Sequence, residues 1–384
     1  MHGYYIYYRD IYSPTAKLTG IDRKVIAQIK TLNEAGFACE YLLCRQPEST
    51  AGKVASCLPF LSDGIAYPNP DTLSHPDFLY IRRPRFMSRQ FLAFLTRFRA
   101  RFPHATLLYE VPTYPYDAEY ETPTLYPALR KDRRWRRELA PLVDRVVEPL
   151  GVPEVFGIPA LHFTNGIDLQ LVTQRRPAPY TGVPEALCAA QFCEWHGIDR
   201  LLAGMRNYRA AHGTGGIRLH LIGEGPSNPK LIALTKRYHL EDDVTFHGFL
   251  TQREMDPLYD RCNLGIESLG IHRRDNKVST SLKSKEYLAK GIPFICSGPL
   301  DVFPHELPDY CLSVPADDSP VDIAAVRGFV DALYARETPQ DVSNRIRAFA
   351  EGHIGWDKGL KSVLTYLGEV RAARSGSTSA RAHA

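Results

Sequence analysis

Short apolar runs alternate with stretches of helical periodicity along most of the chain. In the first half, YYIYY at 4–8 is typical of a buried strand, and Ile21, Val25 and Ile29 then recur at helical spacing until Gly36 ends the helix. The later runs of this half that predict strands are FACEYLL at 37–43, FLYI at 78–81, ATLLYEV at 105–111 and DRVVEPL at 144–150. Strands that alternate with helices in this way predict a doubly wound parallel sheet.

A segment rich in proline and glycine, RRPAPYTGVP at 175–184, lacks apolar periodicity and is typical of a linker. A chain of 384 residues also exceeds the length at which one core usually keeps growing. The runs after the linker that predict strands are ALCAAQF at 186–192, IRLHLIG at 217–223, DVTFHGF at 243–249, NLGIESL at 263–269 and PFICSG at 293–298. The sequence therefore predicts an α/β fold of two Rossmann-like domains that face each other across a central cleft.

The limits of the predicted domains follow from this pattern. The first domain is expected at 1–175 and the second at 176–355. Residues 356–372 are expected to form a helix that packs back toward the first domain. The low-complexity tail at 373–384 is expected to be disordered.

The composition is that of an ordinary globular enzyme, with 44% hydrophobic and 23% charged residues. No run reaches the roughly 18 apolar residues of a spanning helix, and MHGYYIYYRD at the amino terminus lacks the features of a secretory signal. We therefore expect a cytoplasmic protein. The eight cysteines are thinly spread without a C-x-x-C pair, which predicts reduced thiols in the core.

The net charge of +4 is small, but the basic residues are clustered. Residues 82–101 contain seven arginines and no acid, and residues 129–139 contain six basic residues against two acids around Trp135. Such segments with interleaved aromatic residues can hold an anionic membrane, polyphosphate or nucleic acid. Alternatively, each cluster is the solvated face of a helix.

Candidate chemistry in the second domain lies after its strands, where open α/β sheets bind ligands. Gly223 and Gly225 of LIGEGP follow one strand, and His247 and Gly248 follow the next. A nucleotide could approach such a backbone closely. A plain tight turn is the more common reason for a glycine pair such as Gly223 and Gly225, and Gly248 is alternatively a left-handed turn glycine.

The segment SLKSKEYLAKGIPFICSG at 281–298 carries the most informative pair, Lys283 and Glu286. Serine and threonine at 279–281 are helix caps, so the helix is expected to begin near Leu282. A lysine in the first turn is unfavourable against the helix dipole unless an anion such as a diphosphate lies there. One turn later, Glu286 can accept two hydrogen bonds from a diol such as a ribose. The alternative is a surface ion pair between the two residues.

Seven segments of the chain carry a resemblance to a known family. Five of them lie in the second half, WHGIDRLL at 195–202, LIGEGP at 221–226, VTFHGF at 244–249, CNLGIESLGIHR at 262–273 and LKSKEYLAKGIPFI at 282–295. Two lie in the first half, YEVPTYPYDAE at 109–119 and FTNGID at 163–168. In this order they resemble the donor domain and the first domain of family-4 retaining glycosyltransferases with the GT-B fold, in particular a branch of bacterial cell-surface polysaccharide enzymes. The resemblance spans nearly the whole chain.

The resemblance implies a role for each matching residue. Lys283 matches the lysine that contacts the donor diphosphate, and Glu286 matches the glutamate that holds the nucleotide ribose. The other residues with an implied place on the donor side are Gly20, Gly223, Gly225, Pro226, Phe246, His247, Gly248 and Leu282. Gly20 is either the turn whose amides approach the phosphates or an ordinary helix start. The implied acceptor-side residues, which are alternatively rim packing, are Tyr114, Tyr116, Asp117 and Glu119.

The sequence also departs from the family pattern. The first glutamate of the family pair is replaced by Val278, and the family's arginine and lysine are replaced by Gln191 and His196. His272 and Arg273 are either the substitutes that contact the sugar or merely exposed. No D-x-D motif occurs, so we expect no metal and no cofactor.

The function implied is retaining transfer of a hexose-type sugar from a UDP- or GDP-linked donor to a glycan or lipid-linked acceptor. Surface polysaccharide biosynthesis is the expected context, with the enzyme in the cytoplasm or peripheral on the inner face of the membrane, and without nucleic acid as a partner. Two alternatives stay open. A noncatalytic nucleotide-sugar-binding protein is compatible with Val278, and a basic adapter for membrane or nucleic acid is compatible with the arginines.

Overall fold

The computed structural model describes residues 1–16, 18–120, 124–274 and 278–381, without the side chains of 118–119 and 376–381. The chain forms two compact units. The first contains Met1–Thr164 and the residues from Trp356 onward, and the second contains Asn165–Gly355. Each unit is built on its own mainly parallel sheet, so the predicted α/β class is confirmed.

In the first unit the described residues form a seven-stranded sheet with the order β2-β1-β3-β4-β5-β7-β6. Its strands are β1 His2–Tyr7, β2 Ala38–Leu43, β3 Phe78–Arg82, β4 Thr106–Glu110, β5 Arg145–Glu148, β6 Glu154–Val155 and β7 Ile158–His162. The pairs are parallel except for β6 with β7. Every residue of β3 and β4 is buried, as expected for central strands covered on both faces.

The helices of this part are α1 Gly20–Glu34, α2 Thr50–Cys57, α3 Arg89–Arg101 and α4 Tyr126–Trp135. Phe91, Phe94 and Phe98 of α3 are fully buried, which explains the amphipathic spacing of that arginine-rich segment. Its polar residues are not all solvated, because Arg99 binds Asp144 at 2.8 Å.

In the second unit the described residues form a six-stranded parallel sheet with the order β10-β9-β8-β11-β12-β13. Its strands are β8 Glu185–Ala189, β9 Arg218–Ile222, β10 Val244–Phe246, β11 Leu264–Ile266, β12 Phe294–Ser297 and β13 Cys311–Val314. Its helices are α5 Ile198–His212, α6 Asn228–Arg237, α7 Gln252–Arg261, α8 Leu282–Lys290, α9 Ile323–Arg336 and α10 Pro339–His353. The chain moves outward from β8 in one direction and then from β11 in the other. The strand order therefore reverses between β8 and β11.

The second unit begins at Asn165, whereas the sequence predicted the boundary after residue 175. The residues between belong to the second unit because of their hydrogen bonds. The Ile167 amide binds the Ile354 carbonyl at 2.9 Å, and the buried Arg175 guanidinium donates to the Gly291 carbonyl at 3.0 Å. The linker composition therefore marks an irregular segment inside this unit.

The carboxyl-terminal helices, α11 Trp356–Gly359 and α12 Lys361–Arg381, belong to the first unit. Trp356, Leu360, Val363 and Leu367 are buried in its core. The sequence predicted disorder from residue 373, but α12 continues to Arg381. Arg374 contributes to this, because its guanidinium binds Asp77 at 3.2 Å.

All eight cysteines are free thiols, and Cys193 alone among them is not buried. Within the described ranges, the helices include none that is both long and apolar enough to cross a bilayer.

Candidate functional site

The carboxyl ends of β8 and β11 meet where the strand order of the second unit reverses. The turn after β8 and the turn after β11 are joined there by two backbone hydrogen bonds. The Leu269 amide donates to the His196 carbonyl at 2.9 Å, and the Gly270 amide donates to the Trp195 carbonyl at 3.2 Å. Gly197 has φ +65°, and a Cβ at this position would lie 2.6 Å from the Gly270 nitrogen. Only glycine therefore allows the two turns to pack this closely.

The helix α8 starts at this edge, and its predicted first residue, Leu282, is confirmed. The Ser281 hydroxyl caps the helix by accepting from the Lys283 amide at 3.0 Å. Lys283 thus lies in the first turn, where the helix dipole disfavours a cation. Its ammonium donates to the Ser268 hydroxyl at 3.0 Å and lies 3.6 Å from a carboxylate oxygen of Glu267.

Glu267 is the acidic centre of this edge, and its side chain is fully buried. Its carboxylate accepts hydrogen bonds from the Ser281 hydroxyl and from the Ser268 amide. Burial alone would raise the pKa of this carboxyl, but Lys283 and these hydrogen bonds outweigh it, so the pKa is lowered. Glu267 is therefore an acid that stabilises Lys283. The ion pair suggested by the sequence was instead between Lys283 and Glu286, three residues apart.

Glu267 was not among the site residues predicted from the sequence, although the sequence contained a signal for it. In NLGIESLG the glutamate directly follows a short apolar strand, and it stands fifteen residues before the serine-rich start of α8 at Ser281–Leu282. Open α/β sheets bind ligands at the carboxyl ends of their strands, so an acid at this position is a candidate for function. The pairing with Lys283 depends on the path of the intervening loop, which the spacing does not specify.

Glu286 lies one turn after Lys283 on α8 and is half-buried. The Tyr259 hydroxyl of α7 is close to it. Burial raises the pKa of this phenol well above its usual value, and the charge of Glu286 raises it further. Glu286 thus lies at the same helix start as Lys283 and is partly exposed to solvent.

His196 lies on the turn after β8 and is 8% exposed. Its Nδ1 accepts from the Cys193 amide at 3.0 Å, which places the proton of the neutral ring on Nε2. Burial and the nearby Lys283 charge lower the pKa of this imidazole to about 3. At neutral pH His196 is an uncharged hydrogen-bond donor, whereas the family pattern has a basic residue in this segment.

The depressed pKa of His196 predicts a pH dependence of stability. In the unfolded chain the pKa of the imidazole is about 6.5. Between that pH and about 3, the imidazole is therefore protonated in the unfolded chain and neutral in the folded protein. The stabilising contribution of His196 is therefore complete above pH 6.5 and declines as the pH falls. Urea unfolding of the parent and of His196→Asn should show a difference that shrinks from pH 8 to pH 5. His305→Asn, at an exposed position, controls for loss of an imidazole, and a pH-independent difference would contradict the assignment.

His272 and Arg273, the suggested substitutes for the sugar-contacting residues, are held by acids of the same unit. His272 lies 3.0 Å from Asp318, and Arg273 binds Asp318 at 2.8 Å and Asp199 at 2.9 Å. Their position is thus explained by these contacts with Asp318 and Asp199. The next residue, Arg274, instead places its guanidinium 4.7 Å from the centre of the Trp195 ring, beside His196.

The glycine loops after β9 and β10 pack against backbone. A Cβ on Gly223 would lie 2.2 Å from the Ala190 carbonyl oxygen, and one on Gly225 would lie 2.3 Å from that of Phe192. The Gly223 amide also donates to the Gly248 carbonyl at 2.6 Å. Close packing of these loops is therefore sufficient reason for the glycines, and Pro226 leads from them into α6.

The two side chains of the β10 end differ in surroundings. Phe246 packs against the hydrophobic core of the unit. His247 is half-buried, and its Nε2 lies 3.0 Å from the Nδ1 of His220. The His247 ring is thus directed toward the sheet, and the His247 amide donates to the Leu221 carbonyl of β9 at 2.9 Å.

In the first unit, Gly20 is the first residue of α1. Thr19 and the buried Asp22 form a capping box, with the Thr19 amide on the Asp22 carboxylate at 2.7 Å. Arg9 lies 3.4 Å from the same carboxylate. An acid therefore already occupies the positive end of this helix, which favours the helix-start interpretation of Gly20.

The implied acceptor-side residues occupy different environments. Tyr116 is buried and donates to Asp132 at 2.8 Å, while Asp117 binds Arg136 at 2.6 Å. Tyr114 is half-buried with its ring 6.0 Å from that of Phe156. The side chain of the fourth residue, Glu119, lies outside the described part of the structure. Tyr116 and Asp117 thus fix the local structure, and Tyr114 keeps an accessible surface.

Glu110, which was also not among the predicted site residues, is a buried acid at the end of β4 in the first unit. Lys24 lies 3.0 Å and Arg82 2.7 Å from its carboxylate. Burial raises the pKa of this carboxyl, but the two cations outweigh burial and lower it to about 2. Arg82 therefore belongs to a buried ion cluster and not to a solvated basic face.

One group among the described residues has the composition of a metal site. Ligand atoms of Glu185, His220 and Cys262 lie within 4.8 Å of one another. However, Arg218 binds the Glu185 carboxylate at 3.2 Å and Arg261 binds its other oxygen. Two guanidinium groups therefore already neutralise the one anionic ligand, and a cation does not fit this arrangement.

Comparison with known proteins supports the interpretation of the second unit. Residues 183–326 match the family model described as glycosyl transferases group 1. No curated protein matches the sequence. The matched segment contains His196, Glu267, Lys283 and Glu286.

Solved structures match the chain over the length of both units. A sucrose-phosphate synthase from Thermosynechococcus elongatus matches with a TM-score of 0.64 and 16% identity, over 98% of this chain and 99% of that chain. HepE from Anabaena, in complex with UDP and glucose, matches with a TM-score of 0.60 and 12% identity, over 96% and 100%. The lipopolysaccharide outer core galactosyltransferase WaaB matches with 0.56 and 14%, over 97% and 100%. These similarities show the fold, which is GT-B.

Proposed function

We propose that the protein transfers a sugar from a nucleotide-sugar donor to an acceptor hydroxyl, and that the donor diphosphate binds at the start of α8. The observation that carries this proposal is Lys283, an ammonium in the first turn of a helix that begins at the switch point of the sheet. A diphosphate there would interact favourably with both the ammonium and the helix dipole. The match of residues 183–326 to group 1 glycosyl transferases supports the same assignment.

In this proposal each residue of the edge has a separate task. Lys283 and the amino terminus of α8 stabilise the charge that develops on the departing diphosphate, which is the kind of effect that contributes most to such catalysis. Glu286 accepts hydrogen bonds from the ribose diol. His196, neutral with its proton on Nε2, donates to a phosphate or sugar oxygen without adding charge.

The proposal extends to the stereochemistry and the context. We propose retention at the anomeric carbon, with a leaving phosphate oxygen taking the proton of the acceptor hydroxyl on the same face, and without a metal. HepE was solved with UDP, so UDP is the first nucleotide to test and GDP the second. WaaB acts on an outer core lipopolysaccharide, which supports a surface glycan as the acceptor class and a site at the membrane.

A noncatalytic nucleotide-sugar-binding protein is the second candidate, and Val278 favours it. This residue stands where the family's sugar-contacting glutamate is expected, and it is half-buried. Such a protein would bind the nucleotide without turnover of any donor. Hydrolysis or transfer from UDP-sugars, measured beside UDP binding, separates the two candidates.

We expect Glu286→Gln to weaken nucleotide binding while leaving the fold intact. The amide keeps the shape of the side chain but removes the charge that strengthens both hydrogen bonds to a diol, at a cost of about 1 to 3 kcal/mol. Calorimetric titration with UDP should show the loss, and titration with 2′,3′-dideoxy-UDP should show almost none. Thermal unfolding of the free protein reports on folding.

Val278→Ala is the matched control on the loop before α8. Because the carboxylate is already absent at this position, the substitution should leave UDP affinity unchanged. Unchanged UDP affinity in a folded Glu286→Gln protein would contradict the ribose role of Glu286. An equal loss for UDP and its dideoxy analogue would also contradict it.

A further inference from the structure

The segment from Val54 to Leu61 in the first unit presents apolar side chains to solvent. Val54 is 62% exposed and Leu58 is 43% exposed, one helical turn apart on the outer face of α2 and just after it. Phe60 is 99% exposed, and Leu61 is 48% exposed. The residues that α2 buries are Ser56 and Cys57, so the outward side of this segment is more apolar than its inward side. An exposed apolar cluster of this kind marks an interaction surface.

This apolar tip, residues 54–61, is held in place by α4. The Lys131 side chain is 2% exposed, and its ammonium donates to the Ser56 carbonyl at 2.8 Å and to the Leu61 carbonyl at 2.7 Å. A buried lysine thus satisfies carbonyl groups at the end of α2 and fixes the direction of the loop that carries Phe60. The exposure of Phe60 follows from a defined local structure.

The outer side of α4 is cationic. Arg130 and Arg134 of α4, and Arg137 just beyond its end, are exposed and recur at intervals of four and three residues, as residues on one helical face do. Arg130 adjoins Lys131, which binds the tip. Arg134 pairs with Glu138 at 2.8 Å, whereas the contacts of the described residues give no acidic partner to Arg130 or Arg137. Lys53 on α2 adds another exposed cation beside Val54. The exposed Tyr126 stands one turn before Arg130.

We infer that the tip and the outer face of α4 form one docking surface for an anionic lipid bilayer. Phe60 and the neighbouring leucines insert at the boundary of headgroups and acyl chains, and the arginines bind lipid phosphates. The inference rests on the proposed function for its purpose, since it would bring the enzyme to a lipid-linked acceptor. The apolar and cationic parts are both required, because either alone gives weak and reversible attachment.

Charge complementarity selects this occupant over others. A second copy of the chain would present the same arginines and repel the first, and nucleic acid would use the cations but leave Phe60 in water. An anionic bilayer satisfies both kinds of group at once. If the partner were instead an acidic protein, the chain would not bind to lipid vesicles, so vesicle co-sedimentation distinguishes the two partners.

The test is co-sedimentation of the full chain with vesicles of phosphatidylcholine mixed equally with phosphatidylglycerol, and with phosphatidylcholine alone. We expect binding to the anionic vesicles that weakens with salt. Phe60→Ser should lower the partition coefficient roughly tenfold, because burial of a phenylalanine side chain is lost. The double variant Arg130→Glu, Arg137→Glu should lower it at least as much.

Matched controls come from the second unit. Phe249→Ser changes another exposed phenylalanine, 67% exposed, and Arg237→Glu changes another exposed arginine, and both should keep parental vesicle binding. Vesicle binding by the parent that is insensitive to Phe60→Ser overturns the inference, as does absence of binding at low salt. Calorimetry with UDP and GDP keeps the two proposals apart, since a parent protein that binds neither nucleotide overturns the proposed function and leaves the vesicle result standing.

Discussion

Lys283→Ala is expected to weaken UDP binding by a factor of ten or more and to leave uridine binding unchanged. A charge-assisted hydrogen bond contributes about 1.5 to 3 kcal/mol, and the ammonium in the first turn of α8 is placed to bind phosphate rather than base. Turnover of a donor should fall further, by roughly a hundredfold to a thousandfold, because the leaving diphosphate carries more charge in the transition state. Calorimetry with UDP, UMP and uridine measures the first effect.

Two further variants show whether UDP affinity depends on the charge of residue 283 and on the position of that charge. Lys283→Arg keeps the charge and should recover part of the UDP affinity. Lys236→Ala removes an exposed lysine from α6 of the same unit and should change nothing. Equal weakening of UDP and uridine by Lys283→Ala would contradict a phosphate contact and would point instead to local unfolding.

Glu267→Gln is expected to destabilise the second unit by about 3 kcal/mol at pH 7. The side chain is fully buried, and removal of one partner from a buried ion pair leaves the other incompletely compensated. Lys283 is 13% exposed, so water relieves part of this cost and the lower end of the range for such pairs applies. Urea unfolding of the parent and the variant measures the difference, with Glu306→Gln as an exposed control.

The pH dependence of this difference has a defined sign. The pKa of the Glu267 carboxyl is lower in the folded protein than the value of about 4.3 in an unfolded chain. Its contribution is therefore complete above that value and is lost as the pH falls below it. The gap between the parent and Glu267→Gln should be constant from pH 8 to pH 6 and should narrow below pH 4.3. A gap that widens in acid would show that the carboxyl is protonated in the folded state.

UDP affinity of Glu267→Gln distinguishes two roles of the carboxylate. If Glu267 acted only through its charge, its loss would strengthen the binding of an anion. If it positions Lys283 together with the Ser268 hydroxyl, its loss should weaken UDP binding several-fold despite the more favourable net charge. We expect weakening, since Glu267 and the Ser268 hydroxyl both contact the Lys283 ammonium and the variant loses the charge of the first.

Much of the fold was accessible from the sequence. Fully buried strands such as β3 and β12 are continuous apolar runs, and the apolar residues of α1 and α3 recur at helical spacing, so the α/β class and most elements were predictable. The strands that the pattern missed are β6, β7 and β13. These strands are short or contain proline and polar residues. They lie at or next to the edge of a sheet, where part of the strand is exposed, so they do not form a continuous run of apolar residues.

The domain limits were less accessible. The linker composition at 175–184 suggested a boundary, but the change of unit at Asn165 depends on long-range hydrogen bonds such as that of Ile167 with Ile354. The arginines of residues 82–101 likewise form one cluster in the sequence, but the fold places them in different environments. Arg82 is buried against Glu110, whereas Arg89 is exposed.

For the candidate site, the sequence by itself determined the start of α8 and the presence of Lys283 and Glu286 one turn apart, because caps and helical spacing are local properties of the chain. Only the tertiary structure decided which acid stabilises Lys283 and which tautomer His196 adopts. It also decided that Arg273 binds Asp199 and Asp318. These choices depend on which strand ends become neighbours, and that is set by the reversal of strand order between β8 and β11, which no local spacing encodes.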